Sequence, residues 1–247
     1  MKKNQLLFIF IFTILGLTTL QIPFTTVLGS GTKFTLFDFL APTAGAFLGT
    51  VPGLISVLVM QVINIALHGF SSVGFTSLIR LFPVLFGVFY FSKNGATPKV
   101  ERTPRTILIN RDWYWGRIIS FGIPFLAIII FNLHPIGRSA WQYSLFWLIP
   151  IVAHFWRKNL PAQAGLFIRS LGATFTAHAV GGALWVWAFG LSKTMWLSLI
   201  PQTAMERTLM AVGISISFVV LTNLFKLLVK NKLLPFIPQL EKQYLLK

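Results

Sequence analysis

FTLFDFLAPTAGAFLGTVPGLISVLVMQVINIALHG, residues Phe34 to Gly69, is the stretch on which the fold turns. It is apolar over most of its length, yet it carries Asp38 near its start, a break at Gly49, Pro52 and Gly53, and a polar stripe of Gln61, Asn64 and His68 near its end. As a single helix it would run about 54 Å, against a bilayer hydrocarbon thickness of about 30 Å. The stretch therefore reads as two short spans, approximately 34–50 and 52–68, turning at about residue 51. A hairpin and a re-entrant pair both satisfy that length.

The rest of the chain has the same character. Of its 247 residues 55% are hydrophobic and 11% charged, with a mean hydropathy of +0.76, the composition of a polytopic membrane protein. The net charge of +16 would suggest nucleic acid in a soluble protein. Here the basic residues lie between apolar runs and no recognition module accompanies them, so they read as topology signals, and nucleic acid is not an expected partner. With no cysteine, disulfides, thiol nucleophiles and thiolate metal sites are excluded.

Working outward, the chain divides into one all-α integral membrane domain over 1–247, with about six to eight spans. Lys2 and Lys3 precede an apolar run that continues through QIPFTTVLG without a cleavage site, so span one, 6–28, reads as a retained helix. Gly29, Ser30 and Gly31 form a turn. After the opening pair come 76–91, a basic loop at 92–117 with turn signals at Asn94-Gly95, Pro98 and Pro104, then spans at 118–133, 141–155, 162–190 and 201–228. The seventh is long enough to bend at Gly181-Gly182, and the eighth starts at Pro201. A basic tail, 229–247, follows. With both termini cytoplasmic, 15 of the 21 lysines and arginines fall inside. Lys33, Arg138 and Lys193 fall outside, and Arg80, Arg169 and Arg207 lie within spans. Trp141, Trp156, Trp196 and the cluster Trp113, Tyr114 and Trp115 fall near span ends, as an aromatic belt requires.

Charged and polar groups at membrane depth need a partner, a wet cavity or a task. Asp38 and Arg80 lie at similar depth in spans two and four, as an ion pair or as the wall of a site. Gln61, Asn64 and His68 share one helical face, the first two as interhelical hydrogen-bond glue or as ligand contacts and His68, at a span end, as a solvated or headgroup histidine. Thr174 and His178 are four apart on span seven, and Gln202 and Glu206 four apart on span eight. All of these fall in the outer half of the bundle. Arg207 projects about 100° away from Glu206 on the helical wheel and stays outside this set. Arg169 lies in the inner half, facing headgroups or a bundle carboxylate, and His134 and His154 lie at span ends, facing the interface. Gly45, Gly49 and Gly53 are spaced by four, but the turn divides them.

No HExxH, GxSxG, phosphate-loop or GxGxxG pattern occurs, the histidines lack zinc spacing, and nothing requires a cofactor. The candidate substrate-binding set is Asp38, Gln61, Asn64, Arg80, His178, Gln202 and Glu206, with no catalytic and no metal residues. Four readings use these features: a solute-capturing subunit, a stand-alone transporter or channel, a scaffold without a ligand, and an intramembrane enzyme in which His178 and Glu206 meet.

A first helix ending in QIPF, a Gly-rich turn, the opening stretch through FTLFDFLAPTAGAFLGTVPGLISVLVMQVIN, then LIRLFPVLFG, and later ATFTAHAVGGALW with LSLIPQTAMERTLMAVGISIS, resemble the substrate-binding S components of energy-coupling-factor (ECF) transporters. The resemblance implies a protein of the prokaryotic plasma membrane that captures a vitamin, cofactor precursor or metal ion from outside. Its partners would be the lipid bilayer, the solute, a membrane coupling subunit and cytoplasmic ATPases. Spans five and six would then be a pair inserted into the family's usual six. The AxxxA face by which many members dock is replaced in span one by LLFIFIFTILGLTTL, so another face would supply docking.

Overall fold

The computed structural model describes residues 3–26, 33–68, 75–95, 116–234 and 242–245. Helix α1, Lys3–Leu20, is the apolar N-terminal run. It stops short of the expected 6–28. Pro23 has no amide hydrogen to continue the ladder and biases Ile22 toward extended geometry. The chain instead forms a two-stranded antiparallel hairpin, β1 Pro23–Thr26 with β2 Lys33–Thr35, closed by Leu36 N–H donating to Ile22 O at 3.0 Å. Its turn, residues 27–32, holds the expected Gly29–Gly31 turn and lies outside the described residues. This hairpin is the one departure from an otherwise helical chain among those residues.

The opening stretch does divide in two. Helix α2 is Phe37–Leu48 and α3 is Thr50–His68. The break falls at Gly49, whose φ of 92° is a conformation that L side chains avoid. It comes two residues before the expected turn, because Pro52 and Gly53 are absorbed into the first turn of α3, where a missing amide hydrogen costs nothing. Across the break the backbones meet: a Cβ on Gly53 would lie 2.7 Å from the Gly45 backbone. The glycines spaced by four therefore pack the two helices face to face across the turn. Helix α2 is buried from Leu40 to Leu48, whereas α3 exposes Val51, Ile55, Val62 and Leu67. At about 18 Å, α2 is shorter than a bilayer core, while α3 at about 28 Å matches it.

Helix α4 is Phe75–Lys93. The basic loop that follows lies mostly outside the described residues. A π-helical turn, Ile118–Gly122, leads into α5, Ile123–Leu133, and a short α6, Pro135–Ser139. The expected span 141–155 is a 3-10 helix over Trp141–Leu148 that passes into α7, Ile149–Trp156. Helix α8, Ala162–Ala188, continues through Gly181-Gly182 as one element. The glycine pair serves packing: a Cβ on Gly182 would meet Cζ2 of Trp147 at 2.6 Å, so the indole occupies the notch that glycine leaves.

Helix α9, Lys193–Lys230, starts eight residues before Pro201. Ser192 caps it, its Oγ accepting from Met195 N–H at 3.2 Å. Pro201 is carried inside the helix at the loss of one amide hydrogen bond. Beyond α9 the tail is described only at 231–234 and 242–245, where Tyr244 packs on Phe218.

Helix α8 is the axis, flanked by α4, α5, α7 and α9, while α2 fills the space between α4 and α9. Interlocked rings hold these contacts: Phe47 packs on Phe218 and Phe225, and Phe131 packs on Trp147 and Trp196. Helices α3 and α9 are long and apolar enough to cross a membrane, and α1, α2, α4 and α5 carry shorter apolar runs. In lipid such a bundle is held by close packing and interhelical hydrogen bonds rather than by exclusion of water.

Candidate solute-binding cavity

A cavity of about 450 Å³ opens at the end of the bundle where α1 and α3 finish and α2 and α9 begin, a size within the usual range for small-molecule sites. The local sequence makes the space. Pro42 in α2 and Pro83 in α4 interrupt the helical ladders, and Gly87 and Gly181 offer no side chain to fill it. Phe34 and Thr35 of β2 contribute to its wall.

Six of the seven sequence-expected residues line this one cavity: Asp38, Gln61, Asn64, His178, Gln202 and Glu206. Arg80 belongs to α4, but its side chain lies outside the described residues. Gln202 and Glu206 meet as their four-residue spacing requires, with Nε2 donating to Oε1 at 2.6 Å. Asp38 Oδ2 accepts from Thr35 N–H at 2.8 Å, which fixes the carboxylate against the hairpin. Asn64 Oδ1 accepts from Gln21 Nε2 at 2.8 Å, so Asn64 joins α3 to α1 while also lining the cavity. His68 is exposed and donates from Nδ1 to Asn64 O at 2.8 Å.

Arg207, placed outside the set by its 100° offset, belongs to the site. Its Nη2 lies 3.7 Å from Glu206 Oε2, and both side chains are nearly buried. The offset describes where the side chain starts, and the long arginine stem turns back to its neighbour. Nη1 donates to Thr174 Oγ1 at 3.4 Å, the guanidinium lies over the Phe34 ring at 5.0 Å, and Asp38 adds its charge nearby. A buried cation needs such compensation.

His178 is held from two sides. Trp147 Nε1 donates to Nδ1 at 3.1 Å, and Tyr143 Oη lies 3.0 Å from Nε2. An indole can only donate, so Nδ1 accepts and the ring carries its proton on Nε2. Nε2 then donates to Tyr143, which passes its own hydroxyl hydrogen to Thr203 Oγ1 at 2.9 Å. Nothing in the sequence marks Tyr143, Trp147 or Thr203 as partners of His178, since they lie on other elements with no spacing that relates them to it.

Trp196, expected in the aromatic belt, is 2% exposed and lines the cavity. Trp141 and Trp156 are exposed, while residues 113–115 lie outside the described residues. Three buried donors on residues of the cavity wall have no acceptor: Gln61 Nε2, Trp196 Nε1 and Arg207 Nε. Leaving such a group unmatched costs about 1–3 kcal/mol each.

Compared with protein-family models, with characterised proteins and with solved structures, the chain matches none of them.

The remaining polar groups lie elsewhere. Arg169 is 2% exposed, away from headgroups, with Nε donating to Phe91 O at 2.8 Å and its guanidinium over the Phe91 ring. It compensates the carbonyl end of α4, where a cation is favoured. His154 is buried and bonds Asn94 Oδ1 at 2.8 Å rather than facing the interface. His134 caps α6 by accepting from Ile136 N–H. Among the described residues, no three of His, Asp or Glu gather as a metal site.

Proposed function

We propose that this chain is a multi-pass membrane protein whose cavity binds a small polar solute, and that it acts as the substrate-binding subunit of an ECF-type transporter. The observation that carries the first part is the convergence of Asp38, Gln61, His178, Gln202, Glu206 and Arg207 on one cavity at one end of the bundle. Buried polar groups at membrane depth are costly unless they serve a ligand or each other, and here they gather on one open cavity. The coupling part rests on the sequence resemblance and on the absence of a phosphate-binding loop in the chain, so that ATP-driven release would come from partner subunits.

In this reading both termini are cytoplasmic and the cavity opens to the outside, which the excess of lysine and arginine on one side of the spans supports. An intramembrane enzyme is the weaker reading, because both nitrogens of His178 are occupied by Trp147 and Tyr143 and neither is poised as a base.

The test is purification in mild detergent, followed by mass spectrometry of retained small molecules and retained proteins. A bound solute together with a co-purifying ATPase pair is the expected result. Uptake of that solute into liposomes by the chain alone would overturn the coupling part. A preparation that carries no solute and acquires none from a metabolite extract would overturn the binding part.

A further inference from the structure

We infer that the solute carries a protonated amine on a flat apolar ring, an inference that rests on the reading of this cavity as a solute site. The acceptor that receives the amine is on Glu206. Its Oε1 takes the Gln202 amide at 2.6 Å, whereas Oε2 lies 3.7 Å from Arg207 Nη2, an ion-pair distance beyond hydrogen-bond reach. Among the described residues no other donor reaches Oε2, although an ionised carboxylate accepts at both oxygens. The Glu206 side chain is 13% exposed and lines the cavity, so this oxygen is open to a ligand rather than sealed in the wall. An ammonium N–H donated to it makes a charge-assisted bond, stronger than one between neutral groups.

Charge points the same way. The described side chains of the wall include two carboxylates, Asp38 and Glu206, against one guanidinium, Arg207. Arg207 turns to Glu206 and also feels the charge of Asp38, so one cation is shared between two anions. A net charge in a desolvated site needs a counter-charge. A monocation supplies it, an anion would deepen the imbalance, and a neutral ligand would leave the second carboxylate uncompensated.

Size and shape separate an organic ammonium from a metal ion. No three of His, Asp or Glu gather among the described residues, and about 450 Å³ is room for a molecule rather than a single ion. Phe34, Phe37, Trp185 and Trp196 give flat apolar surface suited to a ring, and aromatic faces attract cations as well. The Arg207 guanidinium over the Phe34 ring already makes that contact on this wall.

Three probes that share an indole ring and a short side chain test this against the full chain in an uncharged detergent: tryptamine (an ammonium), tryptophol (neutral) and indole-3-propionate (an anion). Binding is read by calorimetry. Tryptamine is expected to bind about tenfold or more tighter than either of the others, a difference of about 1.4 kcal/mol. Its preference over tryptophol should shrink about tenfold in Glu206→Gln, which removes the charge at nearly constant shape, and several-fold in Asp38→Asn. Asp38→Asn leaves the pair of Glu206 and Arg207 intact, so it keeps the test available if Glu206→Gln misfolds. Tryptophol or indole-3-propionate binding as tightly as tryptamine, or a tryptamine preference unchanged in the folded variants, overturns the ammonium and leaves the solute-binding reading standing. If no probe binds, the molecule retained on purification decides: an amine supports the inference and any other class overturns it. Absence of both probe binding and a retained molecule overturns the inference and the reading beneath it.

Discussion

The indole of Trp147 donates to Nδ1 of His178 across 3.1 Å, and that bond sets the direction of a chain of hydrogen bonds running through Tyr143 to Thr203. Trp147→Phe keeps an aromatic ring but removes part of the indole, its N–H included, and leaves Nδ1 a buried acceptor without a donor. The variant should lose about 1–3 kcal/mol of stability, visible as a lower unfolding temperature in detergent. Unchanged stability would show that the histidine finds another donor.

The same indole sits in the notch at Gly182, where a methyl group would meet Cζ2 at 2.6 Å. Trp147 is fully buried, so it has little room to retreat. Gly182→Ala should destabilise by about 1–3 kcal/mol through overpacking. Gly190→Ala, at a position with nothing within 4 Å, serves as the control and should leave the unfolding temperature within experimental scatter.

Glu206 and Arg207 form a pair whose value is mutual compensation. Glu206→Gln retains an acceptor for Gln202 but leaves the guanidinium short of a counter-charge, and breaking such a buried pair costs about 3–5 kcal/mol. Removing both charges in Glu206→Gln with Arg207→Met should recover part of that loss, since an apolar replacement carries no desolvation penalty. A double variant as unstable as the sum of the singles would show that the two side chains act independently.

The membrane orientation has a direct check, because the chain contains no cysteine. Lys193→Cys, at the cavity end of α9, should react with a membrane-impermeant maleimide on intact cells. Asn231→Cys, just beyond the other end of the same helix, should react only after permeabilisation. The reverse pattern would invert the proposed topology.

These features were unequally legible in the sequence. Length and hydropathy were enough to divide the opening stretch, because no helix of that size fits a bilayer, and the i, i+4 spacing was enough to pair Gln202 with Glu206. Asp38, Gln61 and His178 stood out because polar groups are conspicuous in apolar runs. Arg207 did not, since a helical wheel treats side chains as spokes and ignores the reach of a long one. Trp196 resembled a belt residue because proximity to a helix end is the same signal for an interfacial and a cavity-lining indole. The hairpin at Pro23–Thr35 was hidden because its first strand follows α1 without a charged residue, and only the pre-proline bias at Ile22 marked the change. Tyr143 and Trp147 were beyond reach, because apolar side chains fall on every face of Trp141–Leu148 and none marks the one that meets α8.

The central claim is that one cavity, walled by Asp38 and Glu206 from opposite parts of the chain, holds a small solute. Quantitative mass spectrometry of the small molecules retained by the wild-type protein and by Asp38→Asn with Glu206→Gln, purified side by side in mild detergent, tests it most directly. A solute near one per chain is expected in the wild type, with its loss from a double variant that remains folded. Equal retention by the two proteins would contradict it.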